Sequence, residues 1–432
     1  MERDLSFKLR KDAMDKLKIQ GGGSLNGTVQ VSGAKNASLP ILISAILGSG
    51  KSRFERVPDL QDIKTTELVL NHLGLQSTFA NGVMTLDASK IKTVEAPYDL
   101  VRKMRASVLV LGPLLAREGR AKVSLPGGCA IGARPIDFHL TALEKLGAKI
   151  TLDGGYVVAE AKKLRGNRVA FDFPSVGATE NAMMAAVLAE GETVLENCAK
   201  EPEIADLAVS LRSMGAKITG EGSERITIQG VSSLSGANHR VVGDRIEAGT
   251  FLAAALATRG KVTVEGLAPH HLESVLTKFE EAGALISRGN ESITLEARGR
   301  ARGTDVKTQP FPGFPTDMQA QFMAAMCVAD GSSLITETIF ENRFMHVPEL
   351  ARLGCDLTIR GNSVLVRGKE KLKGAPLMAT DLRASASLVM GALCAEGETI
   401  VSRIYHLDRG YEKMEEKLKT LGAKITRVRE AD

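Results

Sequence analysis

A cysteine, an arginine and three glycines come together in residues 126–135, which read PGGCAIGARP. Gly127 and Gly128 favour a loop, because glycine adopts backbone angles that other residues avoid. Arg134 follows Cys129 closely, and a cation near a thiol helps it to release its proton at a useful pH. The stretch therefore predicts an exposed loop on which Cys129 acts as an acid or a nucleophile. The alternative is a buried loop cysteine without chemistry.

A second candidate is Lys35, in the stretch VSGAKNASLP. The pattern predicts a strand that ends at Gly33 and a helix that begins near Asn36 or Ala37. At such a junction, the ammonium group and the free N–H groups of the helix can bind the same anion. The glycine spacing of a P-loop is absent, and a solvated surface lysine is the alternative.

A third candidate is Asp317, in the stretch FPGFPTDMQAQ. A carboxylate in a loop lined by proline and phenylalanine can be shielded from water and act as a general base. The alternative is that Thr316 or Asp317 caps the helix that follows.

Several arginines lie at predicted junctions between loops and helices. One of them alone would usually form a surface ion pair, but several at equivalent points of a repeat could converge on one anion. These arginines are Arg105, Arg343, Arg383 and Arg409. The SVG of residues 175–177 offers backbone N–H groups for a second anion, although the ATEN that follows fits plain helix capping equally well.

These candidates are carried by a pattern that returns six times. A helix-like segment ends in Leu-Gly-Ala-Lys-Ile or a relative of it, and alternating strand residues follow. An Ala-rich helix and a strand precede each of these segments, which predicts α/β units of about 70 residues, longer than common solenoid repeats. The glycines that mark the six repeats are Gly74, Gly147, Gly215, Gly283, Gly354 and Gly422.

The six units are expected to form two inside-out α/β domains of three units each, with the ligand site in a cleft between them. A polar stretch at residues 232–240 suggests that the chain crosses between domains near residue 243. We predict a discontinuous domain of residues 14–34 and 244–432, a second domain of residues 35–243, and a disordered extension of residues 1–13. The first strand, within residues 17–30, is expected to complete the group that contains the C-terminus.

Composition limits the classes of function. The 432 residues carry a formal net charge of +5 that is spread along the chain, and only 4% are aromatic, none of them tryptophan, which argues against nucleic-acid binding. The charged N-terminus lacks the apolar segment of a signal peptide, and no apolar run is long enough to span a membrane.

Cysteine usage points to a reducing cytoplasm rather than to an oxidising compartment. There are five cysteines and no CxxC pair, and no histidines are spaced as metal ligands, so neither a disulfide framework nor a metal site is expected. Four cysteines are predicted to lie mostly in the core: Cys198, Cys327, Cys355 and Cys394.

Seven motifs in order identify a family. They are SGAKN, PGGCAIGARP, DRIEAGTF, FPTDMQAQ, ENRFMHVPEL, ATDLRASASL and RIYHLDRGYE. Together they resemble the UDP-N-acetylglucosamine 1-carboxyvinyltransferases, which belong to the enolpyruvyl transferase superfamily. The resemblance runs from about residue 14 to residue 429.

The resemblance implies two inside-out α/β domains with threefold internal pseudosymmetry. It implies transfer of the enolpyruvyl group of phosphoenolpyruvate to the 3′-hydroxyl of UDP-N-acetylglucosamine, with release of phosphate through a tetrahedral intermediate. This reaction is the first committed step of peptidoglycan precursor synthesis, it occurs in the cytoplasm, and it needs no cofactor or metal. Fosfomycin, an epoxide, would alkylate Cys129.

The resemblance also implies roles for individual residues. Cys129 would protonate phosphoenolpyruvate or assist product release, and Asp317 would be the base facing the 3′-hydroxyl. Phosphoenolpyruvate would contact Lys35, Asn36, Arg134 and Arg409. UDP-N-acetylglucosamine would contact Arg105, Arg134, Pro135, Ile136, Asp137, Phe138, Ser175, Val176, Gly177, Asp317 and Ile339, with Asn36 nearby. Arg343, Asp381 and Arg383 would line the cleft.

One position departs from the family pattern. Some members have a lysine two residues before the Ser-Val-Gly, and this chain has Phe173 there. Contacts to the uracil or the diphosphate are therefore expected to differ, or to include stacking. Two other functions stay open: enolpyruvyl transfer to shikimate 3-phosphate, which the PGGC loop disfavours, and an inactive scaffold paralogue, which the retained polar residues disfavour.

Overall fold

The computed structural model describes residues 15–102, 104–125 and 136–429, which form a mixed α/β fold. The α-helices are α1 Lys35–Ser44, α2 Gln61–Leu73, α3 Tyr98–Val101, α4 Leu111–Glu118, α5 Asp137–Lys145, α6 Val176–Ala186, α7 Pro202–Ser213, α8 Arg245–Ala257, α9 Glu273–Glu281, α10 Gln319–Met326, α11 Val347–Arg352, α12 Ala384–Cys394 and α13 Met414–Thr420. Short 3-10 helices cover Ala45–Leu47, Arg105–Val110, Pro269–Leu272, Thr316–Met318 and Ile404–Arg409. The α/β class predicted from the sequence is confirmed.

The strands are short, mostly of two to six residues. They are β1 Asp15–Gln20, β2 Asn26–Gln30, β3 Gly48–Ser49, β4 Lys51–Glu55, β5 Gln76–Ala80, β6 Val83–Asp87, β7 Glu95–Ala96, β8 Arg120–Ser124, β9 Lys149–Asp153, β10 Tyr156–Glu160, β11 Arg168–Ala170, β12 Glu192–Glu196, β13 Lys217–Thr219, β14 Arg225–Gln229, β15 Leu234–Ser235, β16 Asn238–Arg240, β17 Lys261–Glu265, β18 Leu285–Arg288, β19 Ser292–Glu296, β20 Val306–Lys307, β21 Ser332–Thr336, β22 Asp356–Arg360, β23 Ser363–Arg367, β24 Leu372–Lys373, β25 Pro376–Met378, β26 Ala395–Glu396, β27 Glu398–Ser402 and β28 Lys424–Arg429.

In the described part of the chain, these strands form six four-stranded sheets with one shared pattern, plus two small two-stranded sheets. The six orders are β16-β4-β6-β5, β7-β8-β10-β9, β11-β12-β14-β13, β2-β17-β19-β18, β20-β21-β23-β22 and β25-β27-β1-β28. In each sheet the first two strands are parallel and the remaining neighbours are antiparallel. The six repeats that the glycine spacing predicts are therefore six copies of one supersecondary unit.

The glycines that mark the repeats each end an amphipathic helix. Their φ angles lie in the left-handed region, from 91° at Gly354 to 114° at Gly74, which side-chain-bearing residues rarely adopt. The predicted glycine caps are confirmed. One predicted helix start is wrong by a residue, because α1 begins at Lys35 itself and not at Asn36 or Ala37.

The chain divides into two compact units, and we describe each by itself. The middle unit comprises the described residues between 33 and 242, and the discontinuous unit comprises residues 15–32 and 243–429. Each unit holds three of the six sheets and its own hydrophobic core. Three helices in each unit are largely apolar and have most of their residues buried: α1, α4 and α6 in the middle unit, and α8, α10 and α12 in the discontinuous unit.

Strands from distant parts of the chain complete three of these sheets. In the discontinuous unit, β2 pairs with β17, which places Asn26 opposite Lys261. β1 lies between β27 and β28, with Leu17 opposite both Val401 and Arg427. This pairing confirms that the N-terminal strand completes the group that contains the C-terminus. In the middle unit, β16 pairs with β4, which places Asn238 opposite Arg53.

No helix among residues 15–102, 104–125 and 136–429 combines the length and the apolar character that a membrane span requires.

Candidate active site

The candidate residues of the middle unit lie near the N-termini of its buried helices. Lys35 is the first residue of α1, and its Nζ lies 2.8 Å from Oδ2 of Asp62 in the first turn of α2. Both side chains are buried, 8% and 3% exposed. The alternative of a solvated surface lysine is therefore wrong. Removal of one partner of such a buried ion pair strongly destabilises the fold, because the other charge stays buried without compensation.

The Ser-Val-Gly segment begins α6. Oγ of Ser175 caps the helix by accepting a hydrogen bond of 3.4 Å from the N–H of Ala178. Gly177 packs closely against α5, since a Cβ atom at this position would lie 3.2 Å from Cε1 of His139. The contact brings the segment beside the start of α5, where Phe138 precedes His139. Two stretches that the sequence assigns to one ligand are thus neighbours in the fold.

A buried amide fixes the orientation of His139. Asn181 accepts a hydrogen bond of 2.8 Å at Oδ1 from the N–H of Gly112, so its Nδ2 faces Nδ1 of His139 at 3.0 Å. Because the amide nitrogen can only donate, Nδ1 of His139 accepts and the ring proton lies on Nε2. Sequence reasoning missed both residues.

Glu180 is a buried carboxyl group one turn into α6. Burial raises its pKa well above the ordinary value, and the nearby Glu203 and Glu201 raise it further. Its Oε1 has no hydrogen-bond partner among the residues that the structure describes. The uncharged form of Glu180 is therefore favoured.

Other candidates of the middle unit can only be placed along the chain. Arg105 begins the 3-10 helix Arg105–Val110, Asn36 follows Lys35 in α1, and Ile136 precedes α5, which Asp137 begins. The remaining three, Cys129, Arg134 and Pro135, lie outside the described residues.

In the discontinuous unit, an aspartate stands at the start of each of the three buried helices. Asp244 caps α8 by accepting from the N–H groups of Ile246 and Glu247, at 2.9 and 3.0 Å. Asp381 accepts from the N–H groups of Arg383 and Ala384 at the start of α12, both at 2.8 Å. The third is Asp317, in the 3-10 turn Thr316–Met318 before α10.

Asp317 does not follow the pattern of the other two. Neither the 3-10 turn nor α10 has a side-chain cap. Oδ1 of Asp317 instead lies 2.8 Å from Nη2 of Arg343, and Oδ2 lies 3.4 Å from Nε of Arg383. The capping interpretation of Asp317 is thus wrong. Two of the four arginines expected to converge on an anion converge on this carboxylate.

Arg383 links the three aspartates. It is only 2% exposed, and besides Asp317 it faces Oδ2 of Asp244 at 3.8 Å, while its own N–H donates to Asp381. Burial opposes its charge, but Asp244 above all, then Tyr411 and Asp317, hold the pKa of the guanidinium above its ordinary value. Arg383 therefore stays charged in the interior.

Behind Arg383 lies a network that sequence reasoning missed. The guanidinium lies 5.2 Å from the ring centre of Tyr411, and its Nη1 donates to the carbonyl oxygen of Gly410 at 3.2 Å. The Tyr411 hydroxyl contacts Oγ1 of Thr250 at 2.9 Å and Nε2 of Gln321 at 3.0 Å. Burial is the main cause that raises the pKa of Tyr411. The network holds Arg383 through contacts that are separate from those with the three aspartates.

Arg409 is the last residue of the 3-10 helix Ile404–Arg409. It directly precedes Gly410, whose carbonyl oxygen accepts a hydrogen bond from Arg383. Burial, followed by Arg403 and Arg409, lowers the pKa of His406 to about 4. Arg403 and Arg409 thus act on His406 in the same direction as burial.

Metal ligands and disulfides are not found in the described ranges: no group of three suitable side chains is placed to hold a metal ion. Cys198, Cys327 and Cys355 are free and buried, as predicted, while Cys394 is half-buried. Burial is the main cause that raises the pKa of Cys198 to about 12, so this thiol is unreactive.

Comparison with known proteins now gives the class. A family described as EPSP synthase (3-phosphoshikimate 1-carboxyvinyltransferase) matches residues 19–418. The chain belongs to this family of enolpyruvyl transferases.

Relatives that share more than half of their residues with this chain carry a more particular name. Three proteins named UDP-N-acetylglucosamine 1-carboxyvinyltransferase are similar over 96% of this chain and 100% of their own length. They come from Trichlorobacter lovleyi, Nitratidesulfovibrio vulgaris and Geobacter metallireducens, at 58%, 57% and 56% identity.

Solved structures of enolpyruvyl transferases share the fold. The enolpyruvyl transferase NikO from Streptomyces tendae has a TM-score of 0.86 at 26% identity, covering 96% of this chain and 99% of its own. EPSP synthase from Acinetobacter baumannii has a TM-score of 0.74 at 18% identity, covering 96% of this chain and 100% of its own, and shows the fold alone.

Proposed function

We propose that this chain transfers the enolpyruvyl group of phosphoenolpyruvate to the 3′-hydroxyl of UDP-N-acetylglucosamine and releases phosphate. The observation that carries this proposal is the 56–58% identity to three full-length relatives of that name. The reaction would be the first committed step of peptidoglycan precursor synthesis, in the cytoplasm.

In the proposed first step, Asp317 takes the proton of the 3′-hydroxyl while the oxygen attacks C2 of phosphoenolpyruvate. C3 receives a proton, for which Cys129 is the candidate donor, and a tetrahedral intermediate forms. In the second step a proton leaves the new methyl group, the C2–O bond to phosphate breaks, and the double bond is restored. The first step takes a proton from the 3′-hydroxyl and delivers one to C3, and the second takes a proton from C3 while phosphate leaves with the electron pair of its bond to C2. The elimination reverses the addition, so there is no net oxidation or reduction and no redox cofactor is needed.

Phosphoenolpyruvate is strongly anionic, so its site needs several fixed cations. Lys35, Arg134 and Arg409 are the proposed cations, with Asn36 beside Lys35. The ion pair of Lys35 with Asp62 supports this role, because it holds the ammonium group at the start of α1, where free backbone N–H groups also attract an anion. Preorganised charges of this kind commonly supply the largest part of a rate enhancement.

UDP-N-acetylglucosamine would be bound mainly through backbone groups at helix starts. The contact of Gly177 with His139 supports this, because it places residues 175–177 beside residues 136–138. Phe173 is 41% exposed, so its ring is available to stack on a base. The proposed contacts are Arg105, Arg134, Pro135, Ile136, Asp137, Phe138, Ser175, Val176, Gly177, Asp317 and Ile339.

An assay of phosphate release with each acceptor tests the function. With phosphoenolpyruvate we expect turnover with UDP-N-acetylglucosamine and none above background with shikimate 3-phosphate. The second acceptor is included because the description of the matched family names 3-phosphoshikimate. The reverse preference would replace our proposal with the shikimate activity, and release with neither acceptor would favour an inactive scaffold paralogue.

Fosfomycin tests the proposed role of Cys129. We expect the thiolate to open the epoxide, so that an S–C bond forms, a C–O bond breaks and the oxygen takes a proton. Intact-mass measurement should show one adduct on the wild-type protein and on Cys394→Ser, a control at a half-buried thiol. Cys129→Ser should carry none, and an adduct on that variant would contradict the assignment.

A further inference from the structure

Glu337 is a buried carboxylate that sequence reasoning did not single out. It is 2% exposed and follows the last residue of β21. Its Oε1 accepts from Oγ1 of Thr308 at 2.8 Å and from the N–H groups of Ile339 and Phe340 at 2.7 and 3.2 Å. Its Oε2 accepts from Oγ1 of Thr316 at 2.8 Å. Two separate arms thus extend from one carboxylate, one to Ile339 and one to Thr316.

The direction of the hydrogen bonds at Thr316 is determined by its partners. Nη1 of Arg343 lies 2.8 Å from Oγ1 of Thr316, and a guanidinium can only donate. The oxygen of Thr316 therefore accepts from Arg343, and its single hydrogen points to Glu337. The other terminal nitrogen of Arg343, Nη2, lies 2.8 Å from Oδ1 of Asp317.

These contacts form a continuous chain from Glu337 through Thr316 and Arg343 to Asp317. The side chains of Glu337 and Arg343 are almost fully buried, and the Thr316 hydroxyl is hydrogen-bonded to both of them. The orientation of the Arg343 guanidinium is therefore restricted. Because the Thr316 hydroxyl holds Nη1 of Arg343, Nη2 points at the carboxylate of Asp317. In the proposed function, this carboxylate takes the proton of the sugar 3′-hydroxyl.

We propose that Thr316 and Glu337 are positioning residues that hold Arg343, and through it Asp317, in the geometry for proton abstraction. The proposal rests on the proposed function, in which Asp317 is the base. Neither residue touches the reacting atoms in this account. A catalytic group displaced by about 1 Å can lose about a hundredfold in rate, so the effect should be on kcat.

The two arms of Glu337 make the proposal specific. Thr316→Val removes the hydroxyl at nearly constant shape and breaks only the arm to Arg343. The arm to Ile339, a proposed contact of the nucleotide sugar, stays intact. A fall in kcat with little change in KM is therefore expected, whereas general damage to this region would change both.

The test measures kcat and KM for both substrates, and the thermal midpoint, for three variants. We expect Thr316→Val to lower kcat by about tenfold or more with KM within about threefold. Thr316→Ser retains the hydroxyl and should stay within about threefold of the wild-type kcat. Thr358→Val is the matched control, because the Thr358 hydroxyl also accepts from an arginine, Arg367, at an exposed site.

A fourth variant keeps the test decisive if Thr316→Val does not fold. In Glu337→Gln, the amide oxygen must face the two N–H groups of residues 339 and 340, so the amide NH₂ faces Thr316. The Thr316 oxygen can then accept from both donors, but its own hydrogen loses the acceptor that orients it, so kcat should fall by less than in Thr316→Val.

Wild-type kcat in Thr316→Val, or in Glu337→Gln if the former does not fold, would overturn the proposal. A Thr316→Ser variant as impaired as Thr316→Val, or a loss confined to KM, would do the same. Absence of turnover by the wild-type protein in this assay would instead overturn the proposed function, so the two failures are distinguishable.

Discussion

Asp317→Asn is expected to lower kcat for phosphate release from phosphoenolpyruvate and UDP-N-acetylglucosamine by about a thousandfold. A positioned general base contributes about a hundredfold to ten-thousandfold, and the amide cannot accept the proton of the 3′-hydroxyl. In the wild-type protein, Nη2 of Arg343 lies 2.8 Å from Oδ1 of Asp317. Asparagine has the same size and keeps one oxygen atom that can accept from Arg343. The change therefore removes the base with little change of shape.

Binding measurements separate this loss from damage to the site. We expect calorimetry to give a dissociation constant for UDP-N-acetylglucosamine that is within about fivefold of wild type, since one lost hydrogen bond has a modest net effect. Asp330→Asn is the matched control: the Asp330 side chain is 80% exposed, and kcat should be unchanged. Residual turnover of the Asn variant near that of the control would remove Asp317 from the role of base.

Arg383→Ala is expected to lower the free energy of unfolding by about 3–5 kcal/mol. Breaking a buried ion pair by removing one partner costs this much, because the remaining charge is left buried without compensation. Here Asp244 is the partner most affected, since its side chain is only 7% exposed. Urea unfolding followed by far-ultraviolet circular dichroism measures the change.

Two further variants show whether the position of Arg383 matters. Arg383→Lys keeps the charge but cannot reach Asp317 and the Gly410 carbonyl with one planar fork, so an intermediate loss is expected. Arg367→Ala removes an arginine that is 45% exposed and paired with Asp356, and should cost about 1 kcal/mol or less. Equal losses for Arg383→Ala and Arg367→Ala would show that the network around Arg383 does not stabilise the unit.

The six repeats could be predicted from the sequence because their signals are local. A left-handed glycine after each amphipathic helix, and a strand after that, are short-range requirements of the backbone. The pairing of β16 with β4 was not predictable in this way. The strand has three residues, and its partner is far away in sequence, so nothing near residue 238 identifies it.

The candidate site was predicted less completely than the fold. The motif residues were found, but the pairing of Asp317 with Arg343 and Arg383 depends on how side chains from two repeats meet. One usable signal was overlooked: polar residues within otherwise apolar helices. Glu180 and Asn181 stand in the Ala- and Met-rich α6, and Gln321 stands in α10. Burial makes such residues costly without partners, so each marks an interior contact.

The place of β1 between β27 and β28 has a consequence for synthesis of the chain on the ribosome. Every described strand of the middle unit lies between residues 48 and 240, so these strands have all their strand partners once residue 240 has been translated. β1 is translated before every described strand of the middle unit, yet its partners begin at Glu398 and end at Arg429. Domains generally fold as units during translation. β1 therefore keeps unpaired edges until residues 398–429 emerge, and the discontinuous unit is completed second although it contains a strand that is translated before the whole middle unit.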